Sequence, residues 1–308
     1  MLLDLLKKKL NLLSKAITLE HEEVKLSKFE RAINEYPMIA VDGSYLPLYS
    51  KDFATVYIFK VSTVQVKNAS IVYNSSESIH VISQDVVIDD DPLVSSVFKL
   101  SSNERHQVEN LLEFKEREQV LKMAKTETSH SIFLIDGSLH YQKKQEGLID
   151  IVKGMHSLRE KHSFVAISKT SGISTFKPPF SDEYYLQKFA RGPGFRKVEM
   201  DWTLGEIYFS RFHEGGPFFR TDIMSILDPA KLLHVISTNC FHLLMPGYPI
   251  LLIEAHRHAK LVRDMKMMYE RDLLKVLIDA DGQFSNERGE KSTFHDLLDH
   301  VTKVKRDA

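Results

Sequence analysis

Two segments of this chain place an aspartate directly after a run of apolar residues, and both continue with Gly-Ser. They are Met38–Ser44 and Ile132–Ser138. Each pattern predicts a buried β-strand that ends at its aspartate, followed by a tight turn at the glycine. Ligands of open α/β sheets gather beyond the carboxyl ends of the strands. Asp42 and Asp136 are therefore predicted to hold a divalent cation together.

A third carboxylate is expected from the helix predicted over residues 101–128, which must pack on the sheet before the second of these strands begins. Three glutamates lie near its middle: Glu113, Glu116 and Glu118. Glu118 is spaced at helical intervals from Phe114 and Leu121, so it is favoured as the one that faces the sheet. Glu116 belongs to the neighbouring stripe and is the alternative, while Glu113 is expected to face solvent.

Three further residues could act on a phosphate. Lys169 follows the predicted strand Phe164–Ser168 at the same edge, where a cation would meet the phosphate backbone or the charge of the transition state. Tyr248 and His256 lie about two turns apart on nearly one face of a helix that opens at Pro249. A histidine beside carboxylates can bind a metal ion or transfer a proton.

A short basic segment is interleaved with Phe189 and Phe195, as in many single-stranded nucleic-acid paths. Its cations are Lys188, Arg191, Arg196 and Lys197.

Hydrolysis of a phosphodiester needs an activated water, neutralised phosphate oxygens and a stabilised leaving group, which two divalent ions can provide together. Magnesium and manganese prefer the oxygen ligands that these acids offer.

The composition sets limits on this interpretation. A chain of 308 residues with 43% hydrophobic content suits one large domain or two modest ones. The single cysteine, Cys240, excludes an internal disulfide and suits a reducing cytoplasm. No apolar run is long enough to span a membrane. Because the net charge is −1, a nucleic-acid partner would need a local basic patch.

The elements that must position these residues follow from hydrophobic periodicity. We predict one domain over 1–308, with an N-terminal helix (1–36), a core (38–262) and a C-terminal helical tail (263–308). Polar clusters predict a turn at Asn74–Ser76 and an exposed acidic loop at Asp89–Asp91. The predicted strands are 38–41, 54–66, 69–73, 79–88, 132–136, 164–168, 202–209 and 217–221, and the later helices are 143–160, 229–244 and 248–280. This order predicts antiparallel strands leading into βαβ crossovers.

The motifs together resemble the NurA family of nucleases. The elements that match, in order, are Ala40–Ser44, the glutamate helix, Leu134–Leu139, Lys169 after a strand, Gly247–Pro249 and then Ala255-His256. The resemblance implies an RNase H-like mixed α/β sheet flanked by helices, with helical N-terminal and C-terminal elaborations. It also implies a metal-dependent deoxyribonuclease, a 5′–3′ exonuclease or single-strand endonuclease, which uses two Mn²⁺ (or Mg²⁺) ions.

The family resemblance also implies partners and residue roles. The partners are DNA, a second copy in a homodimer and a HerA-type hexameric ATPase in DNA end resection or repair, with no membrane. Asp42, Glu118 and Asp136 would be metal ligands, and His256 a further ligand or catalytic group. Tyr248 and Lys169 would position DNA or phosphate, and Arg191, Arg196 and Lys197 are expected to contact DNA.

Two other functions fit the same motifs. Actin-like and sugar-kinase-like proteins use Asp-Gly turns to bind nucleotide phosphates, but they need glycine-rich loops, and the chain has only 13 glycines. A non-catalytic dimeric adaptor that docks on a DNA motor would use the same aspartates as ordinary turn residues. The presence of two Asp-Gly-Ser motifs at predicted strand ends, with a glutamate-bearing helix between them, favours the nuclease.

Overall fold

The structure is a computed structural model. It describes residues 23–30, 33–51, 54–67, 70–83, 87–88, 104–139, 146–178, 180–200 and 205–288. Residues 1–22 of the predicted N-terminal helix, the acidic segment Asp89–Asp91 and the tail beyond Arg288 lie outside the described residues.

A nine-stranded mixed sheet forms the centre of the described chain, in the order β4-β3-β2-β1-β5-β6-β9-β8-β7. The strands are β1 (Met38–Lys51), β2 (Ala54–Lys67), β3 (Ser70–Ser83), β4 (Val87–Ile88), β5 (Ile132–Asp136), β6 (Ser163–Ser168), β7 (Gly194–Val198), β8 (Glu206–Arg211) and β9 (Phe219–Met224). β1, β5 and β6 are parallel to one another, whereas β2, β3 and β4 extend one side of the sheet and β9, β8 and β7 the other by antiparallel pairing.

The first three strands are longer than the sequence predicts. Each has 14 residues, and together they form an antiparallel meander. The predicted turn at Asn74–Ser76 is wrong, because these residues lie within β3 and pair with Val61–Thr63 of β2. Their polar side chains are exposed. Residues 71–77 are all exposed, so both faces of β3 are solvated here, and polarity alone did not mark a turn.

Six helices of the described chain flank the sheet. They are α1 (Glu104–Thr126), α2 (Glu146–Ser157), α3 (Asp182–Phe189), α4 (Pro229–Ser237), α5 (Ile250–Ala259) and α6 (Arg263–Arg288). Side chains of β1 alternate between two apolar cores: Ile39 and Val41 pack with α1 and α2 on one face, and Met38 and Ala40 with α4 and α5 on the other. The predicted α1 and α2 are confirmed within a few residues.

Other predicted elements differ from the structure. Residues 23–30 and 33–36 are not helical. Instead Ser27 pairs with Phe195 at the outer strand β7, so this part of the chain obtains its backbone hydrogen bonds from the sheet edge. Helix α3 and strand β7 are not among the predicted elements. The Gly and Pro residues of this region predict irregular chain, but in the structure they lie in the loops beside these two elements. The helix predicted over 229–244 ends at Ser237.

No helix among the described residues is long and apolar enough to cross a membrane.

Candidate active site at the carboxyl edge of the parallel strands

Asp42 and Asp136 lie next to each other on neighbouring parallel strands. The last registered residue pair of β1 and β5 is Val41 with Ile135, and each aspartate is the next residue. Neighbouring strands are about 4.8 Å apart. Since side chains alternate, both aspartates belong to the face that carries Ala40 and Leu134, the face covered by α4 and α5. The predicted convergence of the two acids therefore occurs.

The first Asp-Gly-Ser segment is not a turn. Strand β1 continues through Asp42 and Gly43 to Lys51, and Gly43 pairs with Val61 of β2. Asp42 is 6% exposed. Its Oδ2 accepts a hydrogen bond from Nδ1 of His256 at 2.7 Å, and the His256 side chain is 65% exposed. Helix α5 thus brings its histidine to the aspartate from above the sheet.

The second segment does form the predicted turn. Gly137 has a φ of 95°, a left-handed conformation that favours glycine. Lys169, directly after β6, donates from Nζ to Oδ2 of Asp136 at 2.7 Å. The same Nζ lies 4.9 Å from the centre of the Tyr248 ring. Lys169, Asp136 and Tyr248 therefore form one contiguous group.

Tyr248 is buried beside Asp136. Its hydroxyl makes no hydrogen bond of good geometry with the described residues. Burial and then the charge of Asp136 raise the pKa of Tyr248 above its usual range. The hydroxyl therefore stays protonated and can donate to an anionic group that enters the site.

Glu116 reaches the aspartates from the opposite face of the sheet. A Cβ atom on Gly43 would lie 2.8 Å from Oε1 of Glu116 and 2.6 Å from Cδ1 of Leu112. Any larger residue at position 43 would displace these side chains of α1. Gly43 is therefore needed for close approach of the helix, which brings the Glu116 carboxyl group to the edge where Asp42 lies.

The three carboxyl groups repel one another when ionised. Burial raises the pKa of Glu116 to about 8, Arg117 opposes this shift, and the charges of Asp42, Glu113 and Asp136 add to it. Burial and then the charge of Asp136 raise the pKa of Asp42, while His256 opposes the rise. Buried carboxyl groups whose pKa values are raised by one another's charge are typical of functional sites.

Glu118, the glutamate that the sequence favours, is not placed with this group. Its carboxylate pairs with Lys115 at 3.8 Å and Lys122 at 3.0 Å on its own helix. Two residues along a helix correspond to a rotation of about 200°, so Glu116 and Glu118 project in nearly opposite directions. The alternative that the sequence left open, Glu116, is the glutamate beside the aspartates.

Arg117 was not identified from the sequence. Its guanidinium is 1% exposed. Nη2 donates to the backbone oxygen of Asp136 at 2.8 Å, and Nη1 lies 3.4 Å from Oε2 of Glu116. A Cβ on Gly137 would lie 3.1 Å from Nη2. Both Asp-Gly-Ser glycines thus leave room for consecutive residues of α1, Gly43 for Glu116 and Gly137 for Arg117.

Asp222 is a second buried group that sequence reasoning missed. It accepts hydrogen bonds from Oγ of Ser138 and the backbone N–H of Leu139, each at 3.0 Å. Arg220 binds both of its oxygens, at 2.7 and 2.8 Å. Asp222 therefore holds the turn after Asp136 from the β9 side. Neither it nor Arg117 lies in a motif, so only the three-dimensional contacts identify them.

The three cations predicted to contact DNA lie toward the other side of the sheet, in and before the edge strand β7. Lys197 pairs with Glu206 at 2.6 Å. The guanidinium of Arg196 lies 4.6 Å from the centre of the Phe176 ring. Arg191 is 88% exposed and contacts Glu23 at 3.7 Å. Four strand spacings separate β7 from β5, roughly 20 Å, so these residues do not join the acidic cluster.

The donor set fits a hard divalent cation in its chemistry. Asp42, Glu116 and Asp136 supply only oxygen atoms, as Mg²⁺ and Mn²⁺ prefer. Within the described parts of the chain, no three acidic, histidine or cysteine side chains already stand at metal-binding spacing. Instead each acid contacts a cationic or hydrogen-bonding side chain of the protein itself: His256 contacts Asp42, Lys169 contacts Asp136 and Arg117 contacts Glu116.

Comparisons with known proteins give a family and a fold for this chain. A family model of the NurA domain matches residues 36–261. The NurA nuclease from Sulfolobus solfataricus is 15% identical, with a TM-score of 0.55 over 90% of this chain and 94% of that one. A NurA structure with manganese is 12% identical, with a TM-score of 0.52 over 91% and 97% of the two chains. No curated protein shows significant similarity. The matches confirm the predicted RNase H-like mixed sheet flanked by helices.

Proposed function

The chain belongs to the NurA domain family, and from this premise we propose that it is a metal-dependent deoxyribonuclease that hydrolyses DNA phosphodiester bonds. The observation that carries the proposal is that Asp42 and Asp136 directly follow paired residues of neighbouring parallel strands, with the buried Glu116 packed against Gly43, the next residue after Asp42. Lys169 and Tyr248 lie beside them, as a phosphate substrate would require.

The proposed metal ligands are Asp42, Asp136 and Glu116, with Glu116 replacing Glu118 in the predicted set. The donor set is compatible with one or two ions, and we propose two, Mn²⁺ or Mg²⁺. When bound, such ions neutralise phosphate oxygens and lower the pKa of water. A NurA structure with manganese supports the choice of metal.

The chain's own residues then have distinct roles. Lys169 is exposed enough to turn from Asp136 to a non-bridging phosphate oxygen, where its charge opposes the charge that develops on the phosphoryl group. The protonated hydroxyl of Tyr248 donates a hydrogen bond to the same phosphoryl group. His256 holds Asp42 in one orientation, and its exposed ring can bind a metal ion or transfer a proton at the leaving oxygen.

The proposal extends to the DNA path and the partners. Of the three predicted cations, Arg191 is the proposed DNA contact, because its side chain is the most exposed and its ion pair with Glu23 is longer, at 3.7 Å, than that of Lys197 with Glu206 at 2.6 Å. The balanced charge of the chain supports help from a HerA-type hexameric ATPase, since the protein offers little attraction to DNA by itself. We also propose that the chain forms a homodimer and a single domain with its core at 38–262. In this proposal it processes DNA ends in the cytoplasm.

The decisive experiment incubates the purified protein with end-labelled linear DNA and with circular DNA. We expect cleavage with Mn²⁺ and none with EDTA. Substitution Asp42→Asn keeps the shape of the side chain but removes its charge, so cleavage should fall more than about 100-fold, beyond the usual effect of losing a supporting residue. The same variant should keep its thermal unfolding temperature within a few degrees.

The competing functions give different results in this experiment. ATP hydrolysis without DNA cleavage would support the actin-like or sugar-kinase-like function. A folded protein that binds a DNA motor but leaves DNA uncut under every metal condition would support the adaptor. Either result would contradict the nuclease proposal.

A further inference from the structure

Arg117 connects the two elements that carry the acids. One side of its guanidinium binds the backbone of the β5 turn, at the carbonyl oxygens of Asp136 (2.8 Å) and Ser138 (3.4 Å). The guanidinium also contacts two carboxylates of its own helix, those of Glu116 and Glu113, each at 3.4 Å. The side chain thus spans the gap between α1 and the carboxyl end of β5.

The burial of Arg117 makes these contacts obligatory. A guanidinium that is 1% exposed has lost its hydration, and hydrogen-bond acceptors of the protein must replace it. Its five N–H donors are fixed in one plane, so it can satisfy acceptors on two elements at the same time. A lysine ammonium has no such planar fork, and it interacts as a point charge.

We infer that Arg117 is a positioning residue for the proposed metal site, which fixes the carboxyl groups of Asp136 and Glu116 relative to each other by joining the turn to the helix. The inference rests on the proposed function, because it assigns these two acids to one ion site. Arg117 itself contacts the backbone of Asp136 rather than its carboxylate, so it acts through the residues it holds.

The glycine at position 137 supports this role. Its left-handed backbone brings the peptide of the turn over the guanidinium, and a Cβ there would lie 3.1 Å from Nη2 of Arg117. Ser168 and Asp222 hold the same turn from the other side: Ser168 Oγ donates to the carbonyl oxygen of Gly137, and Asp222 accepts from Ser138. The turn therefore has little freedom once Arg117 is in place.

The test compares Arg117→Lys and Arg117→Met with the wild type, and it uses Arg105→Lys as a matched control on the exposed part of the same helix. Three quantities are measured: Mn²⁺ binding by calorimetry without DNA, the cleavage rate at saturating Mn²⁺, and the thermal unfolding temperature. Methionine keeps the length of the side chain but removes all of its hydrogen bonds. Because losing one partner of a buried ion pair is destabilising, the Mn²⁺ affinity of this variant is referred to its folded fraction.

We expect Arg117→Lys to weaken Mn²⁺ binding by about 10- to 100-fold, as for other residues that orient metal ligands. Saturating Mn²⁺ should restore most of the cleavage rate, because the acids themselves remain. Arg117→Met should weaken binding at least as much, and Arg105→Lys should leave it unchanged. A purely structural role would lower the unfolding temperature without changing the Mn²⁺ affinity of the folded fraction.

Wild-type Mn²⁺ binding in both Arg117 variants overturns the inference, and so does a loss of the folded state in both. In these cases the wild type still binds Mn²⁺ and cuts DNA, so the proposed function stands. A wild-type protein that neither binds Mn²⁺ nor cuts DNA overturns the proposed function together with this inference.

Discussion

Gly43 leaves the space that the Glu116 carboxyl group occupies, since a Cβ on Gly43 would come within 2.8 Å of Oε1 of Glu116. The two residues lie on different elements, β1 and α1, and the Cβ position of Gly43 faces α1. This close approach places the Glu116 carboxyl group near enough to Asp42 for their charges to interact. The glycine of the first Asp-Gly-Ser segment thus permits helix packing rather than a turn.

Substitution Gly43→Ala should destabilise the protein and reduce cleavage. The added methyl group would displace Leu112 and Glu116, and overpacking of this kind costs about 1–3 kcal/mol of unfolding free energy. The displaced Glu116 should also lower the apparent affinity for Mn²⁺. Chemical denaturation and metal titration of the cleavage rate measure the two effects.

Gly172→Ala is the matched control, because no atom lies within 4 Å of the position that its Cβ would take. It should change the unfolding free energy by less than about 1 kcal/mol, the range of a glycine substitution that meets no atoms. Equal effects of the two substitutions would contradict the packing role of Gly43.

Glu116→Gln and Glu118→Gln should separate the two candidate glutamates. Glu116 lies with the aspartates, so loss of its charge should reduce cleavage more than about 100-fold, beyond the effect of a supporting residue. Glu118 pairs with lysines on the helix surface, and such pairs contribute at most about 1 kcal/mol of stability. Its variant should keep cleavage within about fivefold of the wild type, the change in rate that would follow if the whole of this energy were lost from the transition state.

The assay for this pair is the initial rate of Mn²⁺-dependent cleavage, with the unfolding temperature of each variant measured alongside. A greater loss for Glu118→Gln than for Glu116→Gln would restore the assignment that helical spacing alone favours. It would also show that α1 turns toward the site by a different face.

Without metal, the stability of the protein should fall as the pH rises through the titration of Glu116. Burial raises the pKa of Glu116 from 4.5 to about 8. Between these values the folded protein keeps a proton that the unfolded chain releases, so folding is favoured below this window and loses stability within it. The limiting slope is about 1.4 kcal/mol per pH unit for one proton.

Denaturation in EDTA from pH 4.5 to 8.5 checks this sign. Glu116→Gln removes the titrating group, so the variant should gain stability relative to the wild type as the pH rises. The difference between the two stability curves reports Glu116 together with the neighbouring carboxyl groups that it repels. Parallel stability curves for the two proteins would contradict a raised pKa of Glu116.

Lys169→Met should impair cleavage and weaken the electrostatic part of DNA binding. Its ammonium lies at the site edge, 2.7 Å from Asp136 and 48% exposed. Removing one phosphate contact should decrease the salt slope of the binding constant by about 0.7–0.9. The cleavage rate should fall about 100- to 1,000-fold, as when one donor to a developing charge is lost.

Lys153→Met on α2 is the control, since this exposed lysine pairs only locally with Asp150 among the ion pairs described. It should leave both the salt slope and the rate close to wild type. Binding isotherms at several salt concentrations, recorded in Ca²⁺ or EDTA to avoid cleavage, give the slopes. Equal slopes for both lysine variants would remove Lys169 from the phosphate path.

The sequence by itself determined the main architecture and the two central acids. Apolar runs that end in aspartate identified strands of a parallel pair, because a strand buried on both faces must be continuously apolar. The helix between them had to cross over the sheet, so β1, α1 and β5 and the meeting of Asp42 with Asp136 followed from local pattern and chain connectivity.

Only the tertiary structure decided which residues of α1 join these acids. Helical periodicity identifies an apolar stripe, but the height and rotation of a helix above a sheet depend on packing with residues far along the chain. The small volumes of Gly43 and Gly137 set that position here, and they place Glu116 and Arg117 at the edge while Glu118 pairs with lysines. Asp222 approaches from a distant strand, where no local pattern could reveal its contact with Ser138.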